Sequence, residues 1–320
     1  MAVQTVGGYP VAQNYIPQLY ARTMLEKFYD NTIMKALCNK DYEGELKKFG
    51  DKIIIRQRPN VPVEKYVIGQ GISYPALSAQ SVEFIIQRAR HWAFQVNDVH
   101  RAQTDLKGFL NEWTNDALMN AGIVIETEFF ADVVTKCSPL NQGLTAGRRS
   151  GAYNLGAVGT PLEIVGPKTT LGANQSYAPD LIAAMGATLQ EQPGGIGTNP
   201  YVVIPVNMSY KLQTSELKAA FLTGDSTSLL RKEVTALGTI AGFTVYTSNL
   251  LPFDDLGSGK KAFYCLFGDT SAITFAEQFE KMEMLKNPSD FGDLLRSLLV
   301  YDWFPIQPTR YGTAYVTIDN

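Results

Sequence analysis

The chain is poor in the residues that carry most chemistry. Among its 320 residues are only two histidines, His91 and His100, and three cysteines, Cys38, Cys137 and Cys265. Three cysteines so far apart make neither a disulfide framework nor a zinc-ligand spacing, and they suit a reducing compartment. The histidines have no Cys or carboxylate pattern around them, which makes them poor metal ligands. Charge is also scarce, at 18% of residues with a net of −3. That lacks the clustered Lys and Arg of tight nucleic-acid binders. The first residues lack a basic region followed by an apolar run, so no secretory signal is expected. No apolar run reaches membrane-spanning length, so no membrane partner is expected either.

Catalytic patterns are missing in the same way. Leu256-Gly-Ser-Gly-Lys-Lys261 glances at a phosphate loop, but it lacks the first Gly and the Ser/Thr after Lys. Gly194-Gly195-Ile196-Gly197 follows a helical pattern instead of a strand, so it is no dinucleotide fingerprint. There is no Gly-x-Ser-x-Gly elbow. Asp254-Asp255 and the Asp290/Asp293 pair could hold a cation, though exposed turns explain them equally well. Nothing converges into an active site. The expectation is a non-enzyme with no cofactor and no metal.

What the chain does have is one long strand pattern running into one long helix pattern, Ser81 to Lys136. Val82, Phe84, Ile86, Arg88, Arg90, Trp92, Phe94 and Val96 alternate with mostly small or polar residues. At ~3.3 Å per residue this ribbon spans roughly 50 Å, too long for an ordinary domain strand. Such a ribbon is expected to leave its own domain and lie on something else. A helix then begins near Thr104, with Asp105 favourable at its positive end. Leu106, Phe109, Leu110, Trp113, Ala117, Ala121 and Val124 mark its apolar stripe, and Phe109 and Trp113 read as core. Carried to Lys136 it measures roughly 48 Å, and Pro139 stops it. Gly122 and Ile123-Val124-Ile125 weaken it locally.

Before this stretch, residues 1–20 read as an extended arm and Ile16–Leu37 as an amphipathic helix. Lys52–Arg58 is a strand ended by Pro59. With the strand at 82 it makes a long hairpin around a Pro- and Gly-bearing tip. Lys52, Arg56, Arg58, Arg88 and Arg90 fall on its two legs, and Glu64, Lys65 and Tyr66 lie in the tip. These are either a solvated face or a salt-bridging surface for a neighbouring subunit. An unsupported two-stranded hairpin is marginal in water, which favours the second reading. On that reading, reversing Arg88 and Arg90 to Glu leaves the subunit folded but impairs assembly.

After Pro139 the chain changes character. Residues 141–172 are glycine-punctuated and begin a second lobe. Helices are expected over 178–192 and 208–222. Strands are expected over 201–205, 239–248, 262–267 and 313–318, with apolar or mixed segments over 277–285 and 294–304. The mixture indicates an α/β or α+β lobe.

Four strings in this order carry a resemblance. They are Gly50-Asp-Lys-Ile-Ile-Ile-Arg-Gln-Arg-Pro59, Phe94-Gln-Val-Asn-Asp98, Ala241-Gly-Phe-Thr-Val-Tyr-Thr-Ser-Asn249, and the block from Ala272-Ile-Thr-Phe-Ala-Glu277 to Tyr301. In order and spacing, over nearly the whole chain, they resemble the major capsid protein of tailed bacteriophages with the Hong Kong 97-type fold. The resemblance implies an α+β fold. Residues 1–49 would form an N-terminal arm and short helix, 50–99 the extended hairpin or E-loop, and 100–140 a spine helix in a peripheral domain. Residues 141–290 would form an axial domain, and 291–320 would return to the peripheral domain. It implies hexamers and pentamers in an icosahedral shell around double-stranded DNA held without specific contacts. It further implies a portal protein at one vertex and a decoration protein as a possible partner, with assembly in the host bacterial cytoplasm. The long charged N-terminal scaffold segment of some relatives has no counterpart here, so a separate scaffolding protein is expected. Lys65 stands where other relatives cross-link, but no partner Asn can be named. The alternatives are an encapsulin-like nanocompartment shell, told apart by its enclosed cargo, and a hydrolase or sugar-binding module with a protruding hairpin. The latter would need a pocket holding a titratable pair.

Overall fold

The structure, a computed structural model, describes residues 5–6, 9–10, 32–40, 52–56, 61–69, 71, 74, 76, 81–98, 109–166, 170–215, 236–257 and 259–318. The expected helix N-cap at Thr104, His100, Arg58 and most of the expected 16–37 helix lie outside these residues. Of that helix, α1 (Met34–Leu37) is described. Two short ladder strands, β1 (Thr5–Val6) and β2 (Tyr9–Pro10), pair with each other.

The second half of the chain builds an eight-stranded mixed sheet. Its main strands are β6 (Leu162–Val165), β7 (Gln175–Tyr177), β8 (Pro200–Ile204), β9 (Ala236–Ile240), β10 (Phe243–Thr247), β12 (Lys261–Asp269) and β15 (Tyr311–Ile318). The order is β7-β6-β15-β12-β8-β10-β9, with β11 (Phe253–Asp255) added against β12. β8 lies inside the sheet between β12 and β10 and is buried on both faces, hence its continuous apolar run Tyr-Val-Val-Ile. Val202 and Ile204 face α3 (Ala178–Gln190) and α4 (Val206–Thr214), which lay Leu181, Ile182, Met185, Met208 and Leu212 on the sheet. Tyr201 and Val203 face the other way, into a second core.

That second core is organised by α2 (Phe109–Thr135), 27 residues long. Phe129, Phe130 and Val133 on its C-terminal half pack with Leu37, Val203, Leu266, Phe275, Tyr301 and Trp303. Beside it stands a three-stranded antiparallel sheet: β13 (Ile273–Lys286), β14 (Gly292–Pro305) and β5 (Arg88–Asn97), in that order. A separate ladder joins β3 (Lys52–Arg56) to β4 (Ser81–Ile85). The C-terminal half of the helix is thus wedged between two sheets and buried by both.

Several expectations change here. The single ribbon 82–96 breaks after Ile85: β4 pairs only with β3, and β5 pairs along its whole length with β14 of the same chain. At the break the even positions change sides. Phe84 and Ile86 pack with Ala276 and Val300, whereas Arg88 and Arg90 turn to α2. The ribbon's second half therefore lies on its own sheet instead of leaving the domain. The helix runs unbroken through Gly122, because tertiary packing overrides weak local propensity. Its buried stretch is the C-terminal half, while Trp113 is 42% exposed, so the core reading of Trp113 is corrected.

The expected 239–248 strand is a hairpin. Ala241 and Gly242 both take positive φ (49° and 86°), the two-residue turn geometry that Gly suits, and they reverse β9 into β10. A boundary at residue 290 falls in the turn between β13 and β14, which pair with each other from Ile273↔Pro305 to Lys286↔Asp293. β15 then rejoins the eight-stranded sheet instead of the three-stranded one.

Candidate subunit interface

The hairpin is anchored at its base and bare at its tip. Its five-rung ladder places Ile55 and Phe84 inward, against Ala276, Val300 and Phe304 of the three-stranded sheet. The Phe84 and Phe304 rings lie 6.0 Å apart. Beyond the ladder, every residue from Val61 to Gly69 is exposed. Val63 is 97%, Ile68 89% and Tyr74 88% accessible, and Val61, Tyr66 and Val67 join them. An apolar cluster held out in water on a two-stranded stalk is the signature of an association surface. Glu64, Lys65 and Tyr66 belong to this tip. Lys52 and Arg56 open and close β3, whose backbone alone is described there. Val61, Val63, Ile68 and Tyr74 add an apolar contribution that the charged legs do not reveal. Its sequence signal is an apolar set within a Pro- and Gly-bearing segment. A second exposed apolar group, Met282, Met284 and Phe291, decorates the far end of the β13–β14 ribbon.

Arg88 and Arg90 have partners inside the chain. The Arg88 guanidinium donates to Asp302 Oδ1 (3.1 Å) and to Asp132 Oδ2 (3.0 Å). Its Cζ lies 3.9 Å from the centroid of the Trp303 ring. Trp303 Nε1 donates to the same Asp132 oxygen at 2.7 Å. Arg90 pairs with Glu128, whose other oxygen accepts from Tyr301 Oη at 3.2 Å. Burial raises the Asp132 carboxyl, but Lys136, Trp303 and Arg88 outweigh it and hold the group below its ordinary value.

These pairs follow from geometry. Two residues of strand rise ~6.6 Å and four residues of helix rise ~6 Å, so alternate strand residues stay in register with every fourth helical one. Arg88 therefore meets Asp132 and Arg90 meets Glu128. Farther along the same strand face Phe94 meets Trp113, edge to face at 5.7 Å. The two arginines bolt the strand to the helix.

The remaining candidate positions are structural. Asp254 accepts both Tyr264 Oη (2.8 Å) and Tyr315 Oη (2.9 Å), so its carboxylate is occupied as a tyrosine clamp. Asp290 accepts from Asn97 (3.0 Å), and Asp293 pairs with Lys286 (2.7 Å). Between β11 and β12 the Leu256 N–H donates to the Lys260 carbonyl at 3.0 Å, and the Lys260 side chain reaches Glu163. Gly197 touches Asp269, whose Oδ1 accepts the Asn199 N–H at 2.9 Å. His91 is exposed on β5, opposite Leu298. Among the described residues no helix is long and apolar enough to cross a membrane.

No family model matches the chain, and neither does any curated protein. Solved structures do. One from Mycobacterium phage Che8 superposes with a TM-score of 0.67 at 22% identity, covering 96% of this chain and 98% of that one. The capsid structure of cyanophage P-SCSP1u gives 0.66 at 13% identity, covering 98% and 95%. The mature capsid of bacteriophage PhiM1 gives 0.57 at 11%, covering 95% and 92%. At such identities the likeness speaks for backbone architecture, and it does so from end to end of each chain. The eight-stranded sheet, the long helix, the three-stranded sheet and the hairpin make an α+β fold, and this chain shares that fold with these phage capsid structures.

Proposed function

We propose that this chain is the major capsid protein of a tailed bacteriophage, assembling into hexamers and pentamers of an icosahedral shell around double-stranded DNA. The observation that carries the reading is the bare tip, with Val61, Val63, Tyr66, Val67, Ile68 and Tyr74 exposed, on a hairpin firmly seated at its base, within an end-to-end capsid fold. The tip needs a partner, and a neighbouring copy supplies it. Many copies of a modest contact suffice for a closed shell, because the contacts are multivalent. The work is interface burial, not catalysis. Glu64, Lys65 and Tyr66, with Lys52, Arg56 and Arg58 on the leg before them, form the inter-subunit surface. Arg88 and Arg90 act on it indirectly, by fixing β5 at the hairpin's root. The near-neutral chain holds DNA by confinement, without specific contacts. A separate scaffolding protein guides assembly in the host bacterial cytoplasm, a portal occupies one vertex, and a decoration protein is a possible further partner.

Electron microscopy of the purified full-length chain, alone and with a co-expressed scaffold, is expected to show capsomers or closed shells. Nucleic acid inside native particles supports the phage reading, and enclosed enzyme cargo would favour a nanocompartment. A particle that stays strictly monomeric under all assembly conditions overturns both.

A further inference from the structure

Among the described residues, one ionisable group in the core has no counter-charge. Glu126 lies on α2 and is fully buried. Its Oε2 accepts the backbone N–H of Ile33 at 2.6 Å and of Met34 at 2.9 Å, where α1 begins. Its Oε1 is buried and makes no hydrogen bond among the described residues. The Ser248 hydroxyl, just past β10, approaches the same carboxyl without closing a bond of ordinary geometry. The surroundings offer little else. Just past α1, Cys38 faces it, with a thiol that burial and then Glu126 itself push far up, so it stays neutral. Lys40 lies beyond Cys38 and acts on that thiol. Lys35 turns outward to Glu277. On its own helix, Glu128 and Asp132 point to Arg90 and Arg88. No lysine or arginine pairs with Glu126 among the described residues.

A carboxylate in such a place costs free energy when charged, and two amide donors offset only part of that cost. When neutral, it keeps its carbonyl oxygen for the two amides and gains an O–H to direct at Ser248. We propose that Glu126 is a proton-operated latch: protonated, it holds residues 32–40 against the long helix, and ionised, it loosens them. In sequence those residues lie between the expected arm and the hairpin. The latch is a property of the single chain and stands apart from the proposed shell role.

The sign follows from the direction of the shift. Burial first, opposed by the Met34 and Ile33 amides and Ser248, moves the Glu126 carboxyl up from 4.5 to about 7. A raised acid favours the seated state below 4.5 and loses that advantage as pH rises through about 7. Between pH 6 and 8 the population of the loosened segment should rise about tenfold, from those two values.

Amide hydrogen exchange over residues 32–40 of the unassembled full-length chain tests this, after correction for intrinsic exchange. The wild type is expected to show the tenfold excess between pH 6 and 8, and Glu126→Gln, neutral at every pH, to show none. Equal pH dependence in the two proteins overturns the latch. Should Glu126→Gln fail to fold, carbon-13 titration of the Glu126 carboxyl in the wild type decides. A midpoint near 7 supports the latch, and one between 4 and 5 overturns it.

Discussion

Arg88 stacks on Trp303 while both side chains donate to one oxygen of Asp132. Three elements, β5, β14 and the long helix, thus share a single carboxylate, and Asp302 holds the same guanidinium from the other side. Such a joint is specific to arginine, whose planar fork can stack and bond at once.

Replacing Arg88 is therefore expected to weaken the fold itself, against the sequence-based expectation that charge reversal would spare it. Arg88→Glu leaves two carboxylates facing a third. About a third of the Arg88 side chain is exposed, so the loss falls short of a fully buried pair, at roughly 1–3 kcal/mol. Arg88→Lys should recover only part of it. A urea midpoint unchanged in Arg88→Glu would contradict this role.

The same joint should open in acid. The Asp132 carboxyl sits below its usual 3.8, so its contribution is fully present above that pH and disappears as pH falls through the lower folded value. The indole N–H resonance of Trp303 is expected to shift only below about pH 4. In Asp132→Asn this acid step should be missing. A shift that begins near neutrality would point to another group.

The hairpin tip should matter to assembly and not to stability. Val63 and Ile68 touch water in the single chain, so Val63→Asp with Ile68→Asp is expected to alter the unfolding midpoint by no more than about 0.5 kcal/mol. Shells or capsomers, scored by electron microscopy, should be lost. Normal and equally robust particles from the double variant would remove the tip from the interface.

Two glycines in one loop should behave differently. A Cβ at Gly197 would come within 2.4 Å of Asp269 Cγ at a φ of +85°, whereas one at Gly195 (φ +64°) meets nothing within 4 Å. Gly195→Ala should cost about 1 kcal/mol for its backbone alone. Gly197→Ala should cost more, since Asp269 would have to give up the Asn199 amide. Equal thermal midpoints for the two variants would contradict that contact.

Much of the architecture was legible because local pattern and burial agree. The central strand Tyr201–Ile204, the helix at 178 and the closing strand at 313 announce themselves by unbroken or periodic apolar residues. The alternation holds within Ser81–Ile85 and again within Arg88–Asn97, with a change of sides between them, and the long helix is there from Phe109. What the pattern could not show was the partner. Alternation fixes which side chains share a face, but not whether a neighbouring copy or β14 of the same chain covers that face. Asp132 and Asp302 lie 44 and 214 residues from Arg88, and no local signal links them.

The sequence by itself determined the poverty of catalytic groups, the α+β alternation, and the presence of a hairpin followed by a long helix, since each depends on composition or short-range periodicity. Only the tertiary structure decided that the ribbon breaks after Ile85, that Arg88 and Arg90 are bolts within the chain, that the bare surface is the apolar tip, and that Glu126 is sealed against the start of α1. Each of these depends on which distant segments meet, and packing across the whole chain selects those meetings.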